Sequence, residues 1–436
     1  MASHKHTVIL GAGFAGLAAA RELAMQGFRV TLIEKQAQAG GLAAGFELNG
    51  KPLEKGYHHI FRHDKALLQW IKMLGLQDRV QWHKGSSALY LPQGMVPLSK
   101  PMDLLRLPGL KAGQRLRMAL GLAHLRYIAD PRGLEKYPAG RYLRSLLGKP
   151  VYRALFEPLL QAKFHHYKEV VNMAWLWARL DARARTTRWG REVLGYPRDG
   201  FQSIAEAALL QFRAAGGDYW PSTAVTALRP KADGWEVETT QGTLEAQAVV
   251  STLPSYVMAD LLPADTDADY LTQLRAIPYL GAVVAVIHTP QVLTPYYWHN
   301  VHDPEAPFVS VLNHTALVND GRYGGQVYYM GAYRPHEDSQ FVDSEDSVLA
   351  DYLAYLGKMF PAFDPAQVTE QHLFRLPNAQ HVPVGRYRRL IPAEDTPFPG
   401  LFLYNFSQVF PQDRGTNAAV AQGIKASHRV RHYLVS

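Results

Sequence analysis

Three glycines, an acid and a histidine pair are the residues of this chain whose types and spacing can do chemistry: Gly11, Gly13, Gly16, Glu34, His58 and His59. The pattern Gly11-x-Gly13-x-x-Gly16, with Phe14 and Ala15 between the last two glycines, suits a pyrophosphate. Gly11 allows a tight turn, Gly13 admits phosphates without a Cβ in the way, and Gly16 lets a helix pack close to a strand. Glu34 stands about 20 residues further on, where a carboxylate accepts hydrogen bonds from ribose hydroxyls and disfavours a 2′-phosphate. NADP is therefore the least suited dinucleotide. Histidine serves as a general base near neutral pH, so His58 and His59 are candidates for handling protons.

These residues have to be positioned by a strand, a turn and a helix. Residues 7–10 form a β-branched and apolar run typical of a buried parallel strand, and helix formers follow over 17–25. The helix N-terminus offers free N–H groups and a partial positive charge to phosphates. Arg29–Ile33 reads as a second strand that ends at Glu34. Two more glycine sites, Gly40-Gly41 followed by Leu42, and Gly56 followed by Tyr57, imply a ligand longer than NAD. Further on, residues 201–215 read as an amphipathic helix, 219–228 as one strand containing Val225, 234–239 as a hairpin strand, and 248–252 as a buried run ending at Thr252. Residues 260–375 mix aromatic strands, such as 326–333, with a helix near 346–360. From Gly400 the chain reads as strand, loop and a long helix entered at Thr416-Asn417, both good N-cap types.

A chain of 436 residues is long enough for two domains. Its 47% hydrophobic and 19% charged residues are those of a globular protein. No apolar run reaches the ~18 residues of a spanning helix, and the polar start predicts no secretory leader and a cytoplasmic location. The absence of cysteine excludes disulfide frameworks, thiolate metal sites, a redox-active cysteine pair and a cysteine-linked cofactor. No metal site is expected. Residues 100–199 read as mostly helical and carry 20 Lys and Arg against 8 Asp and Glu, whereas the whole chain is only +8. Within them, residues 106–128 alternate Leu and Met with Arg, a pattern suited to a helix lying at a membrane surface or to arginines that bind an anionic substrate. No nucleic-acid motif accompanies the charge, so a nucleic-acid partner is not expected.

The order of these pieces resembles the flavin-dependent amine oxidase superfamily, which includes monoamine oxidases, phytoene desaturases and protoporphyrinogen oxidases. It is most similar to the bacterial protoporphyrinogen-oxidase-like branch. The likeness covers nearly the whole chain and rests on Gly11, Gly13, Gly16, Glu34, the Gly40-Gly41 doublet, "EKGYHHIF" at 54–61, "GGDYWPSTAVTAL", "VVSTLP" and the terminal "DRGTNAAVAQG". It implies an α/β fold. A Rossmann-like FAD-binding domain would comprise segments 1–85, 200–258 and 395–436, and an inserted helical and mixed α+β substrate domain would comprise 86–199 and 259–394.

The resemblance also implies noncovalent FAD lying extended, its adenine end near Val225 and its isoalloxazine near Gly56 and the C-terminal helix. The implied contacts are Gly11 to Gly16, Glu34 and Lys35, Gly40 to Leu42, Gly56 to His58, Val225, Thr252, and Gly415, Thr416, Asn417 and Ala418. A helix N-terminus at 416–419 would stabilise negative charge on a reduced flavin by roughly 0.3–1 kcal/mol. Many relatives carry arginine where this chain has Leu42; either another base takes over that contact, with Lys35 and Arg414 as candidates, or the pyrophosphate is bound by backbone alone. His58, His59 and Tyr404 are the catalytic candidates, with Asn405 and Gln408 nearby. Without a second GxGxxG motif, reoxidation by oxygen, a quinone or another diffusible acceptor is favoured over NADPH. The expected activity is hydride transfer from a C–N or C–C bond of a small organic substrate, anionic or lipid-like. The alternative is a non-redox flavoenzyme resembling UDP-galactopyranose mutase. Oligomeric state is left open.

Overall fold

The computed structural model describes residues 5–188 and 191–436. Five short strands, Asp218–Trp220, Arg29–Ile33, His6–Leu10, Ala248–Ser251 and Leu401–Leu403, lie side by side in that order and all run parallel. Parallel strands need crossover connections, which cover both faces and make the strands apolar on both sides. Ile9, Leu32 and Val250 pack into one core, and Val8, Leu10 and Val249 into another. Helices Phe14–Met25, Gln202–Ala214 and Thr416–Val435 cover the first face. The meander Val225–Lys231, Gly234–Thr239 and Gly242–Ala246, with helices Ser255–Leu261 and Ala268–Arg275, covers the second.

Two sequence expectations need correction. Residues 219–228 are not one strand: Asp218–Trp220 joins the parallel sheet, the chain turns at Ser222 with φ 50°, and Val225–Lys231 opens the meander. Pro221-Ser222 is the punctuation that marks this break. The terminal helix is capped by Gly415, without a side-chain cap, and Thr416 and Asn417 lie in its first turn. Asn417 caps a different helix. Its Oδ1 accepts the Leu67 N–H at 3.1 Å, in the first turn of Lys65–Met73.

A second sheet has seven strands in the order Glu370–His381, Tyr279–Thr289, Gln326–Arg334, Ser310–Asn313, Trp298–Val301, Ser87–Leu91 and Gly94–Pro97. It is antiparallel except where Trp298–Val301 runs parallel to Ser87–Leu91. Alternation along its long strands sends Val284, Val286 and Tyr329 to the core beneath the parallel sheet's helices. It sends Val283, Ala285 and Tyr328 towards helix Glu345–Met359. Residues 101–186 are mainly helical around Met118, Leu143, Phe164 and Trp175. The expected surface helix over 106–128 is confined to Ala112–Tyr127; Met118 and Leu125 are buried, while Leu116, Leu120 and Tyr127 are exposed. Among the described residues, no helix is long and apolar enough to cross a membrane.

The N-terminal helix sits closer to its neighbours than side chains permit. A Cβ on Gly16 would stand 1.8 Å from the Gly11 carbonyl oxygen, and one on Gly423 would stand 2.2 Å from that of Ala15 and 2.8 Å from the Ala18 Cβ. The clash at Gly423 is with helix backbone, which cannot swing aside. Gly423→Ala is therefore expected to push the terminal and N-terminal helices apart and to cost roughly 1–3 kcal/mol, the usual range for overpacking. Denaturant unfolding checks this, and an unchanged midpoint and slope would refute the close contact.

Candidate active site

The two N-terminal glycine sites, distant in sequence, form one cradle. Gly11 N–H donates to Ile33 O at 2.8 Å and Gly40 N–H to Ala12 O at 2.9 Å, while Gly13 and Gly40 form a parallel bridge. A Cβ on Gly41 would lie 3.0 Å from the Gly13 Cα. The cradle sits at the N-terminus of helix Phe14–Met25, whose N-cap Gly13 makes no side-chain cap, so its first N–H groups are open to an anion. Phe14 is buried against Trp70, with ring centroids 5.7 Å apart, and half-buried Ala15 faces Gly423.

Glu34 follows at the end of the second strand. Its Oε2 accepts the Ala12 N–H at 2.7 Å and its Oε1 the Gln36 N–H at 2.9 Å, which leaves each oxygen a further lone pair for a hydroxyl donor. The Thr223 N–H donates to Glu34 O at 2.8 Å, which brings half-buried Val225 to the same end. The Thr252 hydroxyl donates to Leu10 O at 2.8 Å and stands against Gly11. Leu42 lies in the short turn Gly41–Ala43 with its carbonyl oxygen 4.0 Å from the place of a Gly56 Cβ. Pairwise contacts thus join the Gly11–Gly13 turn to Glu34, Gly40-Gly41 and Thr252, and Leu42 to Gly56. Lys35 is exposed. The two glycine contacts that a Cβ would fill, a half-buried carboxylate and two helix N-termini without side-chain caps are a donor set and shape that fit FAD.

The Gly56–His59 segment is held from beneath by Glu54. This side chain is 1% exposed. Its carboxyl oxygens accept the Phe201 N–H at 2.5 Å and the Tyr196 hydroxyl at 2.8 Å, and its backbone oxygen accepts the Tyr329 hydroxyl at 2.8 Å. Burial pushes its carboxyl up to about 7. Above it, Tyr57 makes edge contacts with Trp298 at 5.0 Å and Tyr329 at 6.3 Å. His58 Nδ1 lies 2.7 Å from Gly56 O and His59 Nδ1 3.2 Å from the Tyr297 hydroxyl. Because a carbonyl only accepts, the His58 proton sits on Nδ1 and Nε2 carries the lone pair. Desolvation, reinforced by Arg414, pulls His58 down to about 4; desolvation, with His58 and the nearby arginines, pulls His59 down to about 3. Both are neutral imidazoles at physiological pH and weaker bases than a solvated histidine.

A cluster that the sequence did not single out lies beside them. Lys163, Arg179 and Arg414 converge on Tyr333 and Asp413. The Lys163 ammonium lies 4.9 Å from the Tyr333 ring centre, and Arg414 Nη2 donates to the Tyr333 hydroxyl at 3.1 Å. Asp413 accepts from Arg179 and, at 3.2 Å, from the Trp175 indole, with Lys163 Nζ 3.9 Å away. Burial alone would raise the Tyr333 phenol, but the fields of Lys163, Arg414 and Arg179 together outweigh it and lower it below the usual phenol range. Burial, then Arg179, lowers Lys163 well below an ordinary lysine. Arg414 donates to Tyr333, and its charge also acts on His58. The basic insert thus reaches this region through Lys163 and Arg179, not through 106–128; the only sequence signal was its charge surplus.

Tyr404 is a correction. It is 1% exposed, packs in the core with Phe402, and its hydroxyl bonds Glu394 on the flank of the terminal helix. Asn405 Nδ2 donates to Leu253 O at 2.9 Å and Gln408 Nε2 to Leu403 O at 3.0 Å, so both serve the turn before that helix. They do not roof the site. Gly415, Thr416, Asn417 and Ala418 sit at the N-terminus of the terminal helix, directly after Arg414. Two open surface grooves of about 540 and 350 Å³, lined by Tyr167 and Arg389 and by Leu116 and His124 among others, contain none of these residues.

Residues 14–430 match the family described as flavin containing amine oxidoreductase. The chain belongs to that family. It is 30% identical to the mitochondrial protoporphyrinogen oxidase of Nicotiana tabacum over 121 residues, which are 27% of this chain, and it spans only 24% of that enzyme. Among solved structures it is similar to a protein from Exiguobacterium sp. 255-15 assigned as a protoporphyrinogen oxidase, with TM-score 0.77 and 20% identity over 99% of both chains. It is also similar to a reduced UDP-galactopyranose mutase, with TM-score 0.77 and 16% identity over 98% of this chain and 96% of that one. At these identities the structural likeness is one of fold. The family's cofactor is FAD, and the glycine crevice fits it.

Glu54 makes the site's support pH-dependent. Its folded value of about 7 exceeds its ordinary 4.5, so its contribution to stability is complete below about pH 4.5 and is lost as pH rises towards 7. The loss amounts to roughly 3 kcal/mol at most, at about 1.4 kcal/mol per unit. Glu54→Gln is expected to gain on the natural protein in thermal midpoint across that window. A difference between the two that stays flat with pH would refute this.

Proposed function

We propose that this protein is an FAD-dependent oxidoreductase, an oxidase or desaturase, which takes a hydride from a C–N or C–C bond of an organic substrate, anionic or lipid-like, onto flavin N5. The observation that carries the reading is the continuity of the glycine crevice with the Gly56–His59 segment in a chain whose family is flavin-containing. In this reading segments 1–85, 200–258 and 395–436 hold the cofactor, and 86–199 and 259–394 enclose the substrate. The flavin supplies the electron acceptor. The chain supplies position: Tyr57, Trp298 and Tyr329 wall the site with rings at fixed angles, and water is excluded by the same packing. His58 Nε2 offers a neutral lone pair to a substrate proton, with its ring orientation fixed through the Gly56 carbonyl. Reoxidation uses oxygen, a quinone or another diffusible acceptor.

The test is anaerobic mixing of the yellow protein with candidate substrates while the visible spectrum is followed. Bleaching on mixing is expected, with recovery on admitting air or a quinone. Turnover that leaves the oxidised spectrum untouched would overturn the reading. Turnover that requires prior dithionite reduction and consumes no electrons would select mutase chemistry instead.

We also propose a cytoplasmic protein that rests on the inner face of the membrane. Support comes from exposed Leu116, Leu120, Tyr127 and Ile128 on and beside helix Ala112–Tyr127, where Arg115, Arg117 and Arg126 flank them. Sedimentation with anionic phospholipid vesicles should carry the protein down, and Leu116→Glu with Leu120→Glu should release it. Equal sedimentation of both forms would exclude this surface.

A further inference from the structure

We propose that Lys163, Arg179 and Arg414 form a carboxylate-anchoring subsite, so that the molecule this enzyme acts on is an organic anion and not the ammonium that its family's description suggests. The inference rests on the oxidoreductase reading above and narrows its substrate class. It starts from a charge imbalance. Among the described residues, Asp413 is the one carboxylate within salt-bridge distance of these three cations: it lies 3.9 Å from Lys163, it pairs with Arg179, and no carboxylate pairs with Arg414. Lys163 is able to shed its proton, but guanidinium groups do not. Even when Lys163 is neutral, two permanent positive charges share one carboxylate and the Tyr333 phenol, whose proton the same cations loosen.

Partly desolvated like charges raise each other's energy, and an anion placed among them relieves that cost. The Tyr333 hydroxyl, 3.1 Å from Arg414 Nη2, is an incomplete answer. The remaining polar atoms point the same way. Arg414 Nε is buried with no hydrogen-bond partner, and neither ring nitrogen of fully buried His381 has one. His381 stacks on Tyr387 at 5.4 Å, and the charges of Arg414 and Lys163 add to burial in holding its ring neutral. Tyr57 and His58, which also face the cluster, carry no negative charge, since burial raises the Tyr57 phenol and lowers His58, and the charge of Arg183 acts on Arg179.

Planar guanidinium forks match the two oxygens of a carboxylate, and the half-buried Tyr333 ring beside Lys163 and Arg414 suits a flat or apolar body attached to it. An alkylammonium entering the same space would be a further positive charge beside Arg179 and Arg414. The cluster borders Tyr57 and His58 and directly precedes the terminal helix, so an anchored carboxylate leaves the rest of the molecule beside the Gly56–His58 segment.

The test uses three probes that share one ring and differ in charge: benzoate, benzamide and benzylammonium, titrated into the flavin-loaded protein by calorimetry. Benzoate is expected to bind roughly tenfold or more tightly than benzamide, and benzylammonium more weakly than either. Arg414→Gln and Lys163→Met should each weaken benzoate roughly tenfold and leave benzamide unchanged, with circular dichroism confirming the fold. Arg414→Lys, which keeps the charge and loses the fork, should recover only part of the loss and serves if a neutral variant fails to fold. Benzylammonium binding as tightly as benzoate, no measurable benzoate binding, or benzoate affinity indifferent to all three substitutions would each overturn the proposal. Flavin content is read separately: a colourless protein that still prefers benzoate would end the oxidoreductase reading and keep the anion site, and a yellow one without the preference would do the reverse.

Discussion

Backbone has to meet backbone around the N-terminal helix, and the other features of the structure follow from that steric constraint. At Gly16 the helix touches the turn that precedes it, at Gly13 and Gly41 two separate segments touch each other, and at Gly423 the terminal helix touches the same helix from above. A methyl group at Gly16, Gly41 or Gly423 would press on elements whose contact creates the crevice. The parallel sheet supplies a rigid base for that contact because both of its faces are covered by apolar packing. The result is a helix N-terminus whose N–H groups are presented by geometry, with no side-chain cap consuming them.

Burial then does chemical work on the side chains above the crevice. Glu54, Tyr329 and Tyr196 lock the base of the Gly56–His59 segment through hydrogen bonds in a dry environment, and the same dryness keeps His58 and His59 uncharged. One physical cause thus stiffens the segment and sets its proton chemistry. Beside them the balance is reversed: Lys163, Arg179 and Arg414 crowd together with too little negative charge, and Tyr333 and Lys163 both shift towards losing a proton, which relieves it. Neutral imidazoles thus lie on one side and surplus positive charge on the other.

Family membership and local electrostatics bear on different questions here. The family match over residues 14–430 concerns the cofactor and the fold that carries it. The charge cluster lies outside the shared motifs, on helices Glu157–Phe164 and Met173–Thr186, strand Gln326–Arg334 and the loop at Asp413-Arg414. The crevice and the charge cluster are built from separate parts of the chain, so a change in one need not disturb the other.

The sequence by itself determined the local parts of this protein. Gly11, Gly13, Gly16 and Glu34 were legible because strand, turn and helix are contiguous there and each residue's role follows from its neighbours. Helices 202–214 and 345–359 and strand 326–334 showed in the same way, through periodicity. Only the tertiary structure decided what depends on distant residues. It showed that Asn417 caps the helix at Lys65–Met73, that Tyr404 turns into the core, that Gly423 is a contact point, and that Lys163, Arg179 and Arg414 meet at Tyr333 and Asp413. The reason is physical. Hydrophobic spacing and turn residues act over a few neighbours along the chain, whereas the burial that shifts Glu54 and His58, and the cations that outweigh burial at Tyr333, depend on which segments are packed around them after folding.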